Sequence, residues 1–252
     1  MGVGIKNPYL TFESNIKGTY ALLDAIREGA TDIDSIVVAS TDKAYGSYPM
    51  SAMPYKEDYP LIPQYPYDVS KACADMIARS YASDVYNLPI VITRFCNIYG
   101  PGQMNFSALM PDAIRSALGC STFIPRGSGD QVRDYIYVED VVDLYLQIAK
   151  ASSLNPEKYR GQVFNAGTNS FISVAEIIDT IFTCVGNTKA LKIIQDEMVN
   201  KKTVGEIHCQ YMDFEKVNHY LGWKPLHTLE VGMQKNIHWY KEFFGCKSAT
   251  IA

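Results

Sequence analysis

The chain has 252 residues, a mass of 28.2 kDa and a net formal charge of −4, from 23 basic and 27 acidic side chains. Hydrophobic residues make up 47% and charged residues 20%, a balance typical of a globular protein with one large domain or a domain with a smaller lobe. The acidic balance argues against a broad nucleic-acid surface. No apolar run approaches the roughly 18–20 residues that span a bilayer, and no apolar signal region opens the chain. We therefore expect a cytoplasmic protein without nucleic-acid or membrane partners.

Apolar periodicity and helix-stop signals divide the chain into alternating helices and strands. In chain order the predicted elements are a helix at 11–28, a strand at 35–39, a loop at 46–66, a helix at 68–86, a strand at 90–95, a helix at 107–118, strands near 122–124 and at 132–138, a helix opening at 139–140, a strand at 163–166, a helix at 173–185 that begins with a capping box, and a helix at about 228–244. Strands that alternate with helices predict an α/β fold with a parallel sheet.

The cysteines and histidines carry no metal or disulfide signature. Six cysteines occur without a C-x-x-C pair, and four histidines occur without H-x-x-x-H spacing. In a chain without a secretion signal, this pattern predicts reduced thiols and no metal ion.

The pair Tyr67 and Lys71 is the most informative local feature. Residues four apart lie on the same face of a helix. A lysine ammonium close to a phenol favours the phenolate and lowers the tyrosine pKa. Tyr67 is therefore a candidate general base toward a sugar or alcohol hydroxyl. The spacing alone is a weak signal, because exposed tyrosines and lysines also occur four apart by chance.

Two predicted strands end in polar segments that support this interpretation. The strand at 35–39 leads into residues 40–46, where Thr41 carries a hydroxyl, and the strand at 90–95 leads into residues 96–102. Ligands of open α/β sheets bind outside the carboxyl ends of the strands. A Thr41 hydroxyl is therefore able to bond the same substrate oxygen as Tyr67.

Five motifs follow one another in order: N-P at 7–8 with E-S-N-I-K-G-T at 13–19, R-F-x-N-x-Y-G-P-G at 94–102, V-R-D-Y-I-x-V-x-D at 132–140, N-A-G at 165–167 and L-G-W-K-P at 221–225. Over nearly its whole length the chain resembles the extended short-chain dehydrogenase/reductase family, the NAD-dependent sugar-nucleotide epimerases and dehydratases. The resemblance implies a Rossmann-type parallel sheet with a smaller C-terminal α/β substrate-binding lobe, and NAD as the cofactor. It also implies a nucleotide-sugar substrate.

The residues after Thr41 indicate which branch of the family the chain resembles. Asp42 and Lys43 are both ionisable, whereas the 4-epimerases typically have small unreactive residues there. The pair resembles the sugar-nucleotide 4,6-dehydratases, which oxidise C4, remove water across C5–C6 and return hydride to C6. By this resemblance Tyr67 takes the 4-hydroxyl proton, and Lys71 lowers the Tyr67 pKa and bonds the nicotinamide ribose. Thr41 orients the 4-oxygen.

The same resemblance makes Asp42 the general acid toward the 6-hydroxyl and places Lys43 where several dehydratases carry a glutamate base. A lysine at this place resembles the CDP-glucose 4,6-dehydratases and the UDP-GlcNAc inverting dehydratases. Lysine must lose a proton to act as a base, which requires a lowered pKa. The alternative for Asp42 and Lys43 is an ordinary exposed ion pair, worth under about 1 kcal/mol.

Further site residues follow from the resemblance. Arg133 is the candidate diphosphate clamp, with a salt bridge to Asp134 or Glu139 as its alternative, and arginine suits phosphate because its donors form a planar fork. Asn97 resembles the asparagine that contacts sugar-nucleotide phosphates. At 209–210, where several relatives carry an arginine, this chain has Cys209 and Gln210, and Gln210 is a candidate substrate contact. The candidate cofactor contacts are Ser40, Tyr67, Lys71, Phe95, Asn97 and Ile98.

The family fingerprint G-x-x-G-x-x-G after the first strand does not occur in this chain. We expect that the first β-α units of the family, about 70–80 residues for units of this size, are missing, and with them the adenosine half of the cofactor site. The predicted division is a Rossmann remainder at 1–102 with 135–168, a substrate lobe at 103–134 and 169–245, and a tail at 246–252.

Three functions stay open: a 4,6-dehydratase, a 4-epimerase or reductase of the same family, and a truncated non-catalytic fragment unable to bind NAD. The resemblance also implies a homodimer through the helices at 11–28 and 68–86.

Overall fold

A computed structural model describes residues 2–29, 32–199, 201–202 and 206–246. The helices are α1 (Gly2–Lys6), α2 (Pro8–Phe12), α3 (Gly18–Gly29), α4 (Pro66–Tyr81), α5 (Leu109–Ala117), α6 (Val138–Leu154), α7 (Pro156–Tyr159), α8 (Val174–Val185), α9 (Thr188–Met198), α10 (Glu215–Leu221) and α11 (Leu229–Phe243). The strands are β1 (Ile36–Thr41), β2 (Ile90–Phe95), β3 (Asn97–Tyr99), β4 (Val132–Arg133), β5 (Tyr135–Tyr137), β6 (Val163–Ala166), β7 (Ile172–Ser173) and β8 (Cys209–Gln210). Within the described ranges, no helix has the length and apolar character needed to cross a membrane.

The main sheet has the order β1-β2-β6, and both neighbouring pairs are parallel. Every residue of β2 is buried, and successive side chains of a strand point to opposite faces of the sheet. Ile90 and Ile92 pack with Leu23 of α3 and Ala78 of α4, whereas Val91 belongs to the cluster that contains Leu144 of α6. The sheet is therefore covered by helices on both faces, and the predicted parallel α/β fold is confirmed.

The later part of the chain builds a second core. Helices α5, α8 and α11 share a cluster of buried apolar side chains, among them Ile114, Ile181 and Ile237. Beside this cluster, β4 pairs antiparallel with β7 and parallel with β8. The predicted capping box is present, because Ser173 accepts from the Glu176 backbone and Glu176 accepts from the Ser173 backbone. The predicted domain division stays a prediction, and 247–252 of the predicted tail lie outside the described residues.

Several predicted elements are wrong or incomplete. The segment near 122–124 is not a strand, because the Phe123 N–H donates to the Ser116 side chain at 2.9 Å instead of to a neighbouring strand. The segment at 132–138 is split at Asp134 into β4 and β5, which belong to different sheets. The helix at 11–28 contains a π-helical turn at Glu13–Lys17 between α2 and α3. Helices α9 and α10 were not predicted.

A buried ion pair joins the main sheet to helix α4. Arg94 of β2 donates from Nε and Nη2 to the two carboxylate oxygens of Asp75, both at 2.9 Å, and the two side chains are 1% and 0% exposed. Its Nη1 donates to the Tyr45 hydroxyl at 2.9 Å, and that hydroxyl donates to Asn165 of β6 at 2.7 Å. One guanidinium thus connects β2, α4, β6 and the turn that follows β1.

The long loop at 46–66 is ordered by tyrosines. The rings of Tyr45 and Tyr55 stack with their centroids 4.7 Å apart, and the Tyr48 ring packs edge-on against Tyr55 at 5.9 Å. The Tyr55 hydroxyl donates to the Gly46 carbonyl at 2.6 Å, and the Tyr59 hydroxyl donates to the Ala52 carbonyl at 2.8 Å. Four of the 18 tyrosines, at positions 45, 48, 55 and 59, therefore help to fix this loop.

We expect Asp75→Asn to lower the free energy of unfolding by about 3–5 kcal/mol, because it leaves the Arg94 charge buried without its counter-ion. Urea denaturation followed by circular dichroism measures the change. The matched control is Glu13→Gln, which breaks the exposed Lys17–Glu13 pair and should leave the denaturation midpoint in place. Equal midpoints for the two variants would contradict the role of the Arg94–Asp75 pair.

Candidate active site

The end of β1 carries a short helix that presents two charged side chains. A 3-10 turn at Asp42–Tyr45 follows Thr41, whose hydroxyl accepts from the Lys43 N–H at 3.4 Å and donates to Asp42 Oδ1 at 3.0 Å. Gly46 ends the turn with φ of +80°, and a Cβ there would clash with the Ile62 carbonyl. Only glycine fits this left-handed position next to another backbone. The turn fixes Thr41, Asp42 and Lys43 at the carboxyl edge of the sheet.

Helix α4 brings the tyrosine–lysine pair to the same edge. Pro66 occupies its first turn, where the lack of an N–H is harmless, and Tyr67 follows directly. The Lys71 ammonium donates to the carbonyl of Ala39 in β1 at 2.6 Å. Asn15 of the π-helical turn donates to the Ser70 hydroxyl at 2.9 Å, so this turn supports the start of α4. The predicted pair thus faces the end of β1.

The expected lowering of the Tyr67 pKa is wrong for this structure. Burial raises the pKa of Tyr67, and the negative charges of Asp42 and Asp68 raise it further. Lys71 hydrogen-bonds Ala39, and burial lowers the pKa of its own ammonium. Loss of charge from the two carboxylates would ease the formation of a tyrosinate, because like charges oppose each other.

Asp42 has the properties of a general acid. Its side chain is 3% exposed, and burial raises its pKa against the opposing effects of Lys43, the Thr41 hydroxyl and Arg133. A raised pKa keeps a carboxylic acid protonated, and only the protonated form donates a proton. The expectation of an ordinary exposed ion pair with Lys43 is therefore wrong, since Asp42 lies in the interior.

The second core supplies the opposite wall of the site. The Lys43 ammonium donates to Gln210 Oε1 at 3.2 Å, and Gln210 lies in register with Arg133 across the β4–β8 pair. Residues 43, 133 and 210 come from three distant parts of the sequence. The structure brings these three predicted site residues together.

Arg133 is engaged by a partner that neither sequence alternative named. Its Nη2 donates to Glu206 Oε2 at 3.2 Å, and its Nη1 donates to the carbonyls of Val132 at 2.8 Å and His208 at 3.1 Å. Arg133 is 6% exposed and Glu206 is 37% exposed. The expected bridge to Asp134 or Glu139 is wrong. The Asp134 carboxylate instead accepts from the backbone and hydroxyl of Thr168.

The remaining predicted cofactor and substrate contacts differ in burial and in hydrogen bonding. Ser40 is buried next to Thr41. Asn97 donates to the Asp134 carbonyl at 3.0 Å, and Ile98 is 37% exposed. The centroid of the Phe95 ring lies 5.3 Å from that of Tyr145 in the core. The Phe95 side chain therefore points into the core, and only its backbone lies at the end of β2.

Asp68 is a site residue that the sequence analysis did not identify. It lies in the first turn of α4 and is 0% exposed. Burial raises its pKa to about 6, opposed by Lys43 and reinforced by the charges of Asp42 and Glu206. The sequence feature that could have identified Asp68 is its position directly after the candidate catalytic Tyr67.

Several buried polar atoms of this site have no hydrogen-bond partner among the described residues. They are Ser40 Oγ, Asp42 Oδ2, both carboxylate oxygens of Asp68, and Gln210 Nε2. Buried polar groups are nearly always hydrogen-bonded in folded proteins. Their clustering at the end of β1 therefore indicates a place where a polar ligand supplies the missing bonds.

Comparison with known proteins identifies the family of the chain. The model of the family described as GDP-mannose 4,6 dehydratase matches residues 1–236. The chain belongs to this family. The motif-based resemblance to the extended short-chain dehydrogenase/reductase family is thereby confirmed.

Curated relatives cover most of the chain. The low-salt glycan biosynthesis protein Agl12 of Haloferax volcanii is 32% identical over 242 residues, which are 94% of this chain and 70% of Agl12. The human dTDP-D-glucose 4,6-dehydratase is 31% identical over 232 residues, which are 91% of this chain. The chain spans 62% of the length of that human enzyme.

Solved structures place the fold among dehydratases and epimerases. DesIV, a dTDP-glucose 4,6-dehydratase from Streptomyces venezuelae with NAD and TYD bound, has a TM-score of 0.83 at 26% identity, covering 97% of this chain and 70% of DesIV. A UDP-glucose 4-epimerase from Thermotoga maritima with UDP-glucose has a TM-score of 0.82 at 25% identity, covering 96% of this chain and 74% of the epimerase. Fold similarity therefore does not distinguish a 4,6-dehydratase from a 4-epimerase. The residues of the site must make that distinction.

We expect Asp68→Asn to stabilise the protein more at pH 7.5 than at pH 4. The folded-state pKa of about 6 lies above the ordinary value of 3.8, so the folded state binds more protons than the unfolded state between these values. The carboxylate therefore lowers stability as pH rises through this window. The difference between the two pH values should be at most about 3 kcal/mol, measured by urea denaturation.

The exposed Asp34 provides the control for this experiment. Asp34→Asn should shift the denaturation midpoint equally at both pH values. An Asp68→Asn variant that behaves in the same way would show that Asp68 carries no burial penalty.

Proposed function

We propose that the chain is the catalytic part of an NAD-dependent sugar-nucleotide 4,6-dehydratase, a lyase that converts an NDP-hexose into an NDP-4-keto-6-deoxyhexose. The observation that carries this proposal is the interior position of Asp42 beside Lys43 at the end of β1. Loss of water across C5–C6 needs an acid for the departing oxygen and a base for the C5 proton. An epimerase needs neither group.

Each residue then has a task that its surroundings support. Tyr67 accepts the proton of the 4-hydroxyl, and the Thr41 hydroxyl orients the same oxygen. Asp42, whose pKa is raised by burial, gives its proton to the 6-hydroxyl as it leaves. Lys43 removes the C5 proton, and its hydrogen bond to Gln210 fixes the position of its nitrogen.

The residues around Tyr67 and Lys71 fit NAD, which supplies the hydride acceptor at C4 and the hydride donor at C6. Supporting observations are the unpartnered hydroxyl of Ser40 and the Lys71 ammonium at the end of β1. DesIV was solved with NAD. Ser40, Tyr67, Lys71 and the segment around Phe95, Asn97 and Ile98 would hold the nicotinamide half of the cofactor.

The diphosphate of the nucleotide sugar is proposed to bind at Arg133, with Asn97 and Gln210 beside it. The guanidinium is paired with Glu206, which is partly exposed. A phosphate can replace Glu206, because arginine pairs with phosphate as well as with carboxylate. The human relative carries the name of a dTDP-glucose enzyme, whereas Lys43 resembles the CDP-glucose type, so the nucleotide stays a prediction.

We also propose that the protein is a homodimer. Tyr20 and Leu22 of α3 are 43% and 63% exposed, and Met76 of α4 is 59% exposed. These two helices pack against each other and leave apolar side chains outside the core, as the helices of a dimer interface do. The cytoplasmic location likewise stays a prediction.

Two other functions remain as outcomes of the experiment. A 4-epimerase or reductase of the same family is favoured by the similarity to the Thermotoga maritima epimerase. A non-catalytic fragment is favoured by the lack of the glycine-rich fingerprint in this chain.

We expect the purified chain, incubated with NAD and a panel of CDP-, dTDP-, UDP- and GDP-glucose, to convert one substrate into a product lighter by one water. Liquid chromatography with mass detection reads the product, and mass analysis of the denatured protein detects NAD that co-purifies. A product of unchanged mass would indicate the epimerase. Neither product nor bound NAD would indicate the non-catalytic fragment.

We expect Lys43→Ala to lower kcat by about 10²–10⁴-fold, with a smaller effect on KM, because the C5 proton loses its acceptor. Transient absorbance of NADH should persist, since oxidation at C4 precedes the lost step. Lys56→Ala, which changes an exposed lysine, is the control and should keep the parent rate. Product formation at the parent rate by Lys43→Ala would remove Lys43 from the mechanism.

A further inference from the structure

Two cysteines that are 126 residues apart in sequence meet at the surface of the second core. The sulfur of Cys120 lies 3.9 Å from the sulfur of Cys246. Cys120 is exposed and Cys246 is half-buried. The proposed chemistry uses neither thiol.

The same local structure places both cysteines. Gly119, two residues after α5, has φ of +78°, and the Cys120 N–H donates to the Arg115 carbonyl at 3.0 Å. Gly245, two residues after α11, has φ of +65°, and the Cys246 N–H donates to the Lys241 carbonyl at 2.9 Å. A left-handed glycine followed by a residue whose N–H bonds the carbonyl five positions back is the Schellman motif. Each cysteine is therefore the residue that closes a helix end.

Packing between the two helices holds these ends together. The Phe106 ring lies 6.0 Å from the Phe244 ring and 6.3 Å from the Tyr240 ring. The Arg115 guanidinium lies over the same Phe106 ring at 4.6 Å. A disulfide has a sulfur–sulfur length of about 2.05 Å, so side-chain rotation or a small shift of either helix end brings the sulfurs into bonding distance.

We propose that Cys120 and Cys246 form a reversible intramolecular disulfide, with a low-molecular-weight disulfide such as oxidised glutathione as the oxidant. The Cys120 thiolate attacks the oxidant, which forms a mixed disulfide and releases one small thiol. The Cys246 thiolate then attacks the Cys120 sulfur and releases the second small thiol. Two protein thiols are oxidised and one small disulfide is reduced to two thiols, so atoms and electrons balance.

Both the exposure and the protonation of the Cys120 thiol affect the rate of this reaction. Its exposed sulfur is the one that a dissolved oxidant reaches first. Slight burial and the neighbouring Cys246 raise the pKa of the Cys120 thiol. Since the thiolate is the attacking form, oxidation should accelerate as pH rises above neutrality.

The test oxidises the whole purified chain with excess glutathione disulfide and compares it with the reduced chain. We expect the number of titratable thiols to fall by two, the intact mass to fall by two hydrogen atoms, and a non-reducing peptide map to link Cys120 with Cys246. Cys184→Ser removes another exposed thiol and should leave this link intact. Cys120→Ser should abolish it. Glutathione adducts without a link, or a link between two chains, would overturn the proposal.

A second measurement separates a native-like bond from a strained one. The disulfide closes a long loop and constrains the unfolded chain, so the melting temperature of the oxidised protein should rise by roughly 5–15 °C. Cys120→Ser should show no such rise after the same treatment. A fall in the melting temperature of the parent on oxidation would show that the bond distorts the helix ends, and would refute a site built for it. Neither readout depends on NAD or on turnover.

Discussion

The buried Arg94–Asp75 ion pair is the constraint on which the candidate site depends. Asp75 belongs to the helix that carries Tyr67 and Lys71, and the Tyr45 hydroxyl bonded by Arg94 ends the turn that carries Asp42 and Lys43. The two segments also pack directly against each other, and Lys71 bonds the Ala39 carbonyl of β1, so the guanidinium is one of several contacts that fix their separation. The Tyr45 ring also lies under the guanidinium at 4.7 Å. Such a pair adds little net stability over an apolar alternative. Removing one partner, however, leaves an uncompensated buried charge, and this would disturb the segments that carry the site residues.

The site itself is a cluster of charges that the fold keeps short of partners. Asp42 and Asp68 are both buried and both have raised pKa values; the Asp42 charge raises the pKa of Asp68, and both charges raise the pKa of Tyr67. Proton uptake by one carboxyl therefore makes proton loss by the tyrosine easier, and the groups titrate as a unit. In the proposed reaction, this coupling would ease formation of the Tyr67 phenolate that accepts the sugar proton. Groups with perturbed pKa values concentrate at functional sites. Burial of unpartnered carboxylates costs folding free energy, and a ligand that bonds them would recover part of that cost.

Short sequence patterns predicted the elements that depend on interactions between residues close together in the chain. Continuous apolar runs found β2 and β6 to the residue, and the Ser173 capping box found the start of α8. Ordered motifs found the residues at the strand ends. Features that depend on distant parts of the chain were out of reach. The split at Asp134 depends on Thr168, the contact of Cys120 depends on Cys246, and Glu206 reaches Arg133 from a different segment. The Tyr67 pKa failed for the same reason, since burial is a property of the folded chain and not of the Y-x-x-x-K spacing.

The bond between Glu206 and Arg133 gives the site a built-in competitor. A carboxylate tethered 3.2 Å from the guanidinium acts at a high effective concentration, so a free monoanion from solution is at a disadvantage against it. A diphosphate carries more charge and more acceptor oxygens, and is able to win the exchange. Release of Glu206 into water, where it is already partly exposed, limits the loss on that side of the exchange. At the diphosphate site proposed for Arg133, Glu206 would thus disfavour simple monoanions relative to a diphosphate.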